Sequence, residues 1–115
     1  MISINKINHI IQLSISREKN YKLGLTDQYN KVEKELEDYL NTLTFDEVKS
    51  LQAIMYLGRD KDFDSNLSPQ EIYDSQYEYF DKLLGWKTKS IEINQILEKL
   101  PLGAYLINAK QILNL

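Results

Sequence analysis

The 115-residue sequence has no cysteine, two prolines, four glycines, one histidine and one tryptophan. Without cysteine there is neither a disulfide framework nor a thiolate metal site, which fits a reducing compartment. One histidine excludes a His-rich metal centre by count. It also leaves nucleophilic catalysis without its usual base, because no Cys is present and His9 has no identifiable orienting carboxylate. The scarcity of Gly and Pro, with 43% hydrophobic residues, points to an ordered chain and away from a linker or low-complexity tract. No apolar run approaches the length that spans a membrane, and Asn, Lys and His break up the N-terminal apolar stretch where a signal peptide would be continuous. Positive charge is also in deficit. A net charge of −3 gives little with which to neutralise phosphates, so nucleic acid is not the expected partner and a basic protein surface is. Lys87, Lys89 and Lys99 are too scattered to change that. These absences predict a cytoplasmic protein with no membrane contact, cofactor, metal or enzymatic activity.

What is present is helical periodicity. Leu43 to Asp64 carries the clearest signals: Thr44 and Glu47 have the spacing of a capping box, and Leu43 and Val48 that of a hydrophobic staple. Val48, Leu51, Ile54 and Met55 then recur on one helical face, with Gly58 as the expected helix end. Before it, Ile4, Ile7, Ile11 and Ile15 predict a first helix from Ser3 to Ser16, with His9 pointing away from that stripe. Residues 17–25 read as a loop, and Thr26 or Asp27 as the cap of a second helix built on Tyr29, Val32, Leu36, Tyr39 and Leu40. The alternating charges of residues 31–38 read as a solvated face.

After it, Ser68-Pro69-Gln70-Glu71 is a second capping box with proline at the first helical position. Ile72, Tyr73, Tyr77, Phe80, Leu83 and Leu84 give this fourth helix an apolar face, Gly85 stops it, and Trp86 is expected to pack. Ser90 is the expected cap of a fifth helix carrying Ile93, Ile96, Leu97 and Leu100. Pro101 separates it from a sixth, marked by Leu102, Tyr105, Leu106, Ala109, Ile112 and Leu113. The expectation is an all-α fold, a single domain over residues 1–115 forming one compact bundle of about six amphipathic helices, with Leu51, Ile54, Met55, Phe80 and Leu97 in its core.

Two segments, LQAIMYLGRDKDFD and ILEKLPLGAYLINAKQIL, together resemble a widespread bacterial all-helical domain family of unknown function. In that family a Leu-Met-x-x-Gly-Arg-x-Asp turn is followed later by a Leu-x-x-x-Pro-Leu-x-x-Tyr-Leu helix. Met55, Gly58, Arg59 and Asp60 match the first pattern; Leu97, Pro101, Leu102, Tyr105 and Leu106 match the second. The resemblance covers about two thirds of the chain and implies a helical fold and no assigned activity. In overall style, Lys-, Asn- and Ile-rich, small and acidic, the chain also looks like the immunity proteins of contact-dependent growth inhibition toxins.

Two acidic features are candidates for function. Asp60, Asp62, Asp64, Asn66, Ser68 and Glu71 fall at the first, third, fifth, seventh, ninth and twelfth positions of an EF-hand loop, but Ser65 stands where that loop needs glycine and no second loop exists to pair with it. Turn formation and the capping box account for the same residues, so no calcium site is assigned. Glu71, Asp74, Glu78 and Asp81 lie three, four and three residues apart, within about 80° on the fourth helix. Their mutual repulsion would cost the isolated helix on the order of 1 kcal/mol. With Tyr73 and Tyr77 beside them, and Asp60, Asp62 and Asp64 just before, they form the expected partner-binding surface. The functional expectation is a non-catalytic binding protein, most specifically an immunity protein that neutralises a basic, nuclease-type toxin domain. The alternative is a cytoplasmic regulatory or scaffold domain with another protein partner.

Overall fold

The computed structural model describes all 115 residues and contains helices only: α1 (Ile4–Lys22), α2 (Thr26–Thr42), α3 (Phe45–Asp60), α4 (Pro69–Glu78), a π-helical turn (Tyr79–Leu84), α5 (Lys89–Leu97) and α6 (Leu102–Ile112). Helix α3 sits at the centre, and its burial explains why. Val48, Leu51, Ala53, Ile54, Met55 and Leu57 are all buried, so apolar surface faces neighbours on more than one side. Its start is fixed by the expected reciprocal bonds: Glu47 N–H donates to Thr44 Oγ1 at 3.1 Å, and Thr44 N–H to Glu47 Oε1 at 3.0 Å. Helix α4 begins in the same way, on Ser68 and Glu71.

Gly58 does not end α3. The helix runs on to Asp60 and stops at Lys61, which takes the left-handed conformation (φ 54°). Gly58 lies instead where α6 crosses: a Cβ there would stand 1.7 Å from the Tyr105 carbonyl oxygen. Thus the two segments that carry the family resemblance pack directly on each other. Gly103 plays the same part between α6 and α1, its vacant Cβ position lying 3.3 Å from Cβ of Ser14. Small residues therefore set α6 close against both neighbours.

Helix α1 is longer than its isoleucine spacing implies and buries a different face. Ile7, Ile10, Ile11, Ser14 and Arg17 point inward, while Ile4 and Ile15 are exposed. The apolar pattern lapses after Ser16 because the next inward side chain is charged. Arg17 is 1% exposed, and its guanidinium donates to Glu33 Oε2 (2.9 Å), the Leu97 carbonyl (2.8 Å) and the Lys99 carbonyl (2.6 Å). The carbonyls at the end of α5 lack intrahelical partners, and Arg17 supplies them from α1. Residues 17–22 are thus helix, not loop.

Neither Thr26 nor Asp27 caps α2; Thr26 is already helical and the cap position is Leu25, without a side-chain bond. Thr88, not Ser90, caps α5, accepting from Ile91 N–H at 3.2 Å. The largest departure comes after α4. In the π turn the Gly85 N–H reaches back to the Phe80 carbonyl at 2.7 Å, a wider ring than the α-helical one. The wider turn shifts the phase of the residues after it, so Leu83 and Leu84 are 75% and 60% exposed rather than buried. Leu51, Ile54 and Met55 are fully buried as expected, but Phe80 and Leu97 are only half-buried, with Leu97 lying against the core. No helix is long and apolar enough to cross a membrane.

Candidate protein-binding surface

The acidic residues of α4 do not stay together as one stripe. Glu71 turns back to the Ser68 N–H, and that bond, with the Ser68 hydroxyl, holds its carboxyl below the ordinary value. Asp81 lies on the π turn and accepts from Trp86 Nε1 at 2.7 Å. The two remaining acids, Asp74 and Glu78, meet a pair from another helix. With Asp46 and Glu47 in the first turn of α3 they border an open hollow of about 520 Å³, whose lining also includes Ser50, Tyr73 and Tyr77. Four carboxylates from two helices thus surround two aromatic rings.

The local pairing of these acids is light. Asp74 accepts from Gln70 Nε2 at 2.9 Å, Glu78 lies 3.4 Å from Lys82 Nζ, and Asp46 is in no ion pair. Glu47 is the engaged one: the Lys6 ammonium and then the Thr44 N–H lower its carboxyl pKa. Its bonds join the start of α3 to α1.

Of the two tyrosines expected beside the acids, Tyr73 faces inward. It is 6% exposed, and its hydroxyl donates to Ser50 Oγ at 2.8 Å, the same oxygen that accepts the Ile2 N–H at 2.9 Å. Tyr73 faces the core because α4 buries Ile72 and Tyr73 together against α3. Tyr77 is the half-buried ring at the rim. It packs against Tyr73 and Trp86 at centroid distances of 6.0 and 5.9 Å, and burial, then the nearby Asp81 and Asp46, raises its pKa.

Asp60, the last residue of α3, and the two aspartates that follow it lie apart from this hollow. Asp60 holds Arg59 through two bonds, of 2.8 and 3.3 Å. Asp64 accepts the Asn66 N–H at 2.9 Å in a local turn, and Asp62 is exposed to solvent. No three acidic or histidine side chains converge so as to hold a metal ion, and the EF-hand-like spacing is therefore not gathered into a cage.

Asp46 and Glu47 are the residues that sequence reasoning missed. Both were visible as acids at a helix start, explained there by the dipole and, for Glu47, by the capping box, and only the packing of α4 beside α3 makes them neighbours of Asp74 and Glu78. Comparison with protein-family models, with curated proteins and with solved structures finds no match.

Proposed function

We propose that this chain is a non-catalytic binding domain whose acidic face, centred on Asp46, Asp74 and Glu78 with Tyr77 at the rim, docks on a basic protein surface. The observation that carries the reading is the convergence of acids from α3 and α4 around one open, aromatic-lined hollow. Like charges brought together at the cost of mutual repulsion suit a surface that meets positive charge elsewhere. In its most specific form the partner is a basic, nuclease-type toxin domain and the chain is its immunity protein. Such an inhibitor needs no chemistry of its own: carboxylates presented where nucleic-acid phosphates would lie are enough to occupy a nuclease cleft.

The test is calorimetric binding to the product of the adjacent upstream reading frame at two salt concentrations. Wild-type protein is expected to bind more weakly at the higher salt. Asp46→Lys, Asp74→Lys and Glu78→Lys together should weaken binding and flatten its salt dependence. Unchanged affinity and salt dependence in a folded triple variant would rule out this face as the interface.

A further inference from the structure

A second open hollow, of about 450 Å³, lies behind the π turn between α3 and α5, and its lining is of a different kind. Its depth holds acceptors. Glu92 is a carboxylate only 4% exposed, it takes part in no ion pair, and it accepts one bond at each oxygen, from Gln52 Nε2 (2.8 Å) and the Lys87 N–H (3.0 Å). Gln52 is 1% exposed and spends its amide NH₂ on two acceptors, Glu92 Oε2 and Gln95 Oε1. That bonding fixes its orientation and leaves Gln52 Oε1 buried without a partner. The Gln52–Glu92 bond ties α3 to α5, yet it leaves a buried carboxylate without a counter-charge and a buried carbonyl oxygen without a donor, and both are costly.

The walls are flat and aromatic. Tyr56 stacks on Phe80 at 5.3 Å and Phe80 on Trp86 at 5.9 Å. At the mouth the Arg59 guanidinium already lies over the Tyr56 ring at 4.4 Å while bonded to Asp60. The other cation lining the hollow is Lys87, which reaches Glu92 through its backbone N–H and not its ammonium.

From these features we infer that the hollow behind the π turn is a receptor for a guanidinium group, namely an arginine side chain of a partner protein. The inference rests on the reading that the partner is a basic protein and names a second contact for it. A guanidinium has five donors and no acceptor, is planar, and is weakly hydrated, so it stacks on aromatic faces and satisfies several oxygens at once. An ammonium can lie over such rings, as Lys49 does over Trp86 and Lys99 over Tyr56, each at 5.8 Å. It is strongly hydrated, however, and its three donors on a point charge match the spread of acceptors less well than a planar fork of five.

Trp86 is the only tryptophan and lines this hollow, so its fluorescence reports on binding there; because it also touches Tyr77 at the rim of the first hollow, the acidic-face variant below serves as the control. The experiment titrates the full chain with a blocked Gly-Arg-Gly peptide, with free arginine and with the corresponding lysine peptide. The arginine peptide is expected to give a saturable change, and the lysine peptide a binding constant weaker by about tenfold or more. Glu92→Gln keeps the shape and removes the charge, and should weaken the arginine peptide by a similar factor. Tyr56→Leu, which leaves the polar network intact, should weaken it as well, and it serves if Glu92→Gln does not fold. The Asp46, Asp74, Glu78 triple variant should bind the peptide as wild type does, which separates this site from the acidic face. No saturable response, equal binding of the lysine peptide, or unaltered binding by folded Glu92→Gln or Tyr56→Leu would overturn the proposal. Tighter binding of free arginine would overturn its assignment to a protein side chain.

Discussion

Replacing Gly58 with alanine is expected to destabilise the fold, although alanine normally improves a helix interior by up to about 1 kcal/mol over glycine. The added Cβ would lie 1.7 Å from the Tyr105 carbonyl oxygen, 2.7 Å from its carbon and 3.0 Å from the Ala109 nitrogen. All three obstacles are backbone, so no rotamer change relieves them and α6 has to retreat from α3. Restoring an ordinary contact moves the carbonyl oxygen from 1.7 to at least 3.4 Å, across the interface that buries Leu102, Leu106 and Ala109. Overpacking of this kind costs about 1–3 kcal/mol and sometimes more. The upper part of that range, less the propensity gain, leaves a net loss of about 2 kcal/mol, or roughly 10 °C in midpoint for a domain of this size. Urea denaturation with far-ultraviolet dichroism as the readout measures it directly. An unchanged or raised midpoint would refute the close approach of the two helices. Gly58→Asn sharpens the test, because asparagine is well tolerated at a left-handed helix end. It should be at least as damaging as alanine if Gly58 is an interior crossing point.

Thr44→Ala should cost about 1 kcal/mol by removing the acceptor at the start of α3, read as a lower urea midpoint with unaltered slope. Arg17→Leu strands the Leu97 and Lys99 carbonyls and the Glu33 carboxylate, and should cost about 3 kcal/mol in the same assay; a loss below about 1 kcal/mol would mean water replaces the guanidinium freely. The carboxyls of Glu47 and Glu71 have folded pKa values below their ordinary 4.5. The unfolded chain therefore binds protons first as pH falls, so this stabilisation is present above about pH 4.5 and is lost as pH falls through the folded values. Glu47→Gln with Glu71→Gln should flatten that acid limb, and an identical acid limb in the double variant would rule out these two carboxyls as its source.

The strongest local signals in this chain were legible, the weaker caps expected at Thr26 or Asp27 and at Ser90 were misplaced, and the non-local features were not legible. The Thr44–Glu47 and Ser68–Glu71 boxes involve residues three apart, so the chain specifies them without help from the rest of the fold, and both form. Gly58 is ambiguous by the same logic: a glycine near the end of an apolar run suits a helix end and a helix crossing equally, and only α6, far along the chain, decides between them. Arg17 read as the start of a polar loop because charge normally marks solvent, yet its partners lie at Glu33 and at the end of α5. Leu83 and Leu84 have good α-helical spacing, and the π turn that exposes them has no signature in residue type. At the candidate surface, Asp74, Tyr77 and Glu78 were legible from the pattern of α4. Asp46 and Glu47 join them through tertiary packing, and Tyr73 is withdrawn into the core by the same packing.

The π turn also bears on how the chain tolerates changes in length. A π turn is an α-helix holding one residue more than its period requires. Removing one residue between Phe80 and Leu84 should therefore regularise the helix rather than break it, because the bond from Gly85 to Phe80 would then close an ordinary α-helical ring between the same two ends. Trp86, both capping boxes and the α3–α6 crossing would keep their places. Single-residue deletions are usually ruinous inside helices, but here one falls where the helix already carries a spare residue, leaving the rest of the bundle to fold as before.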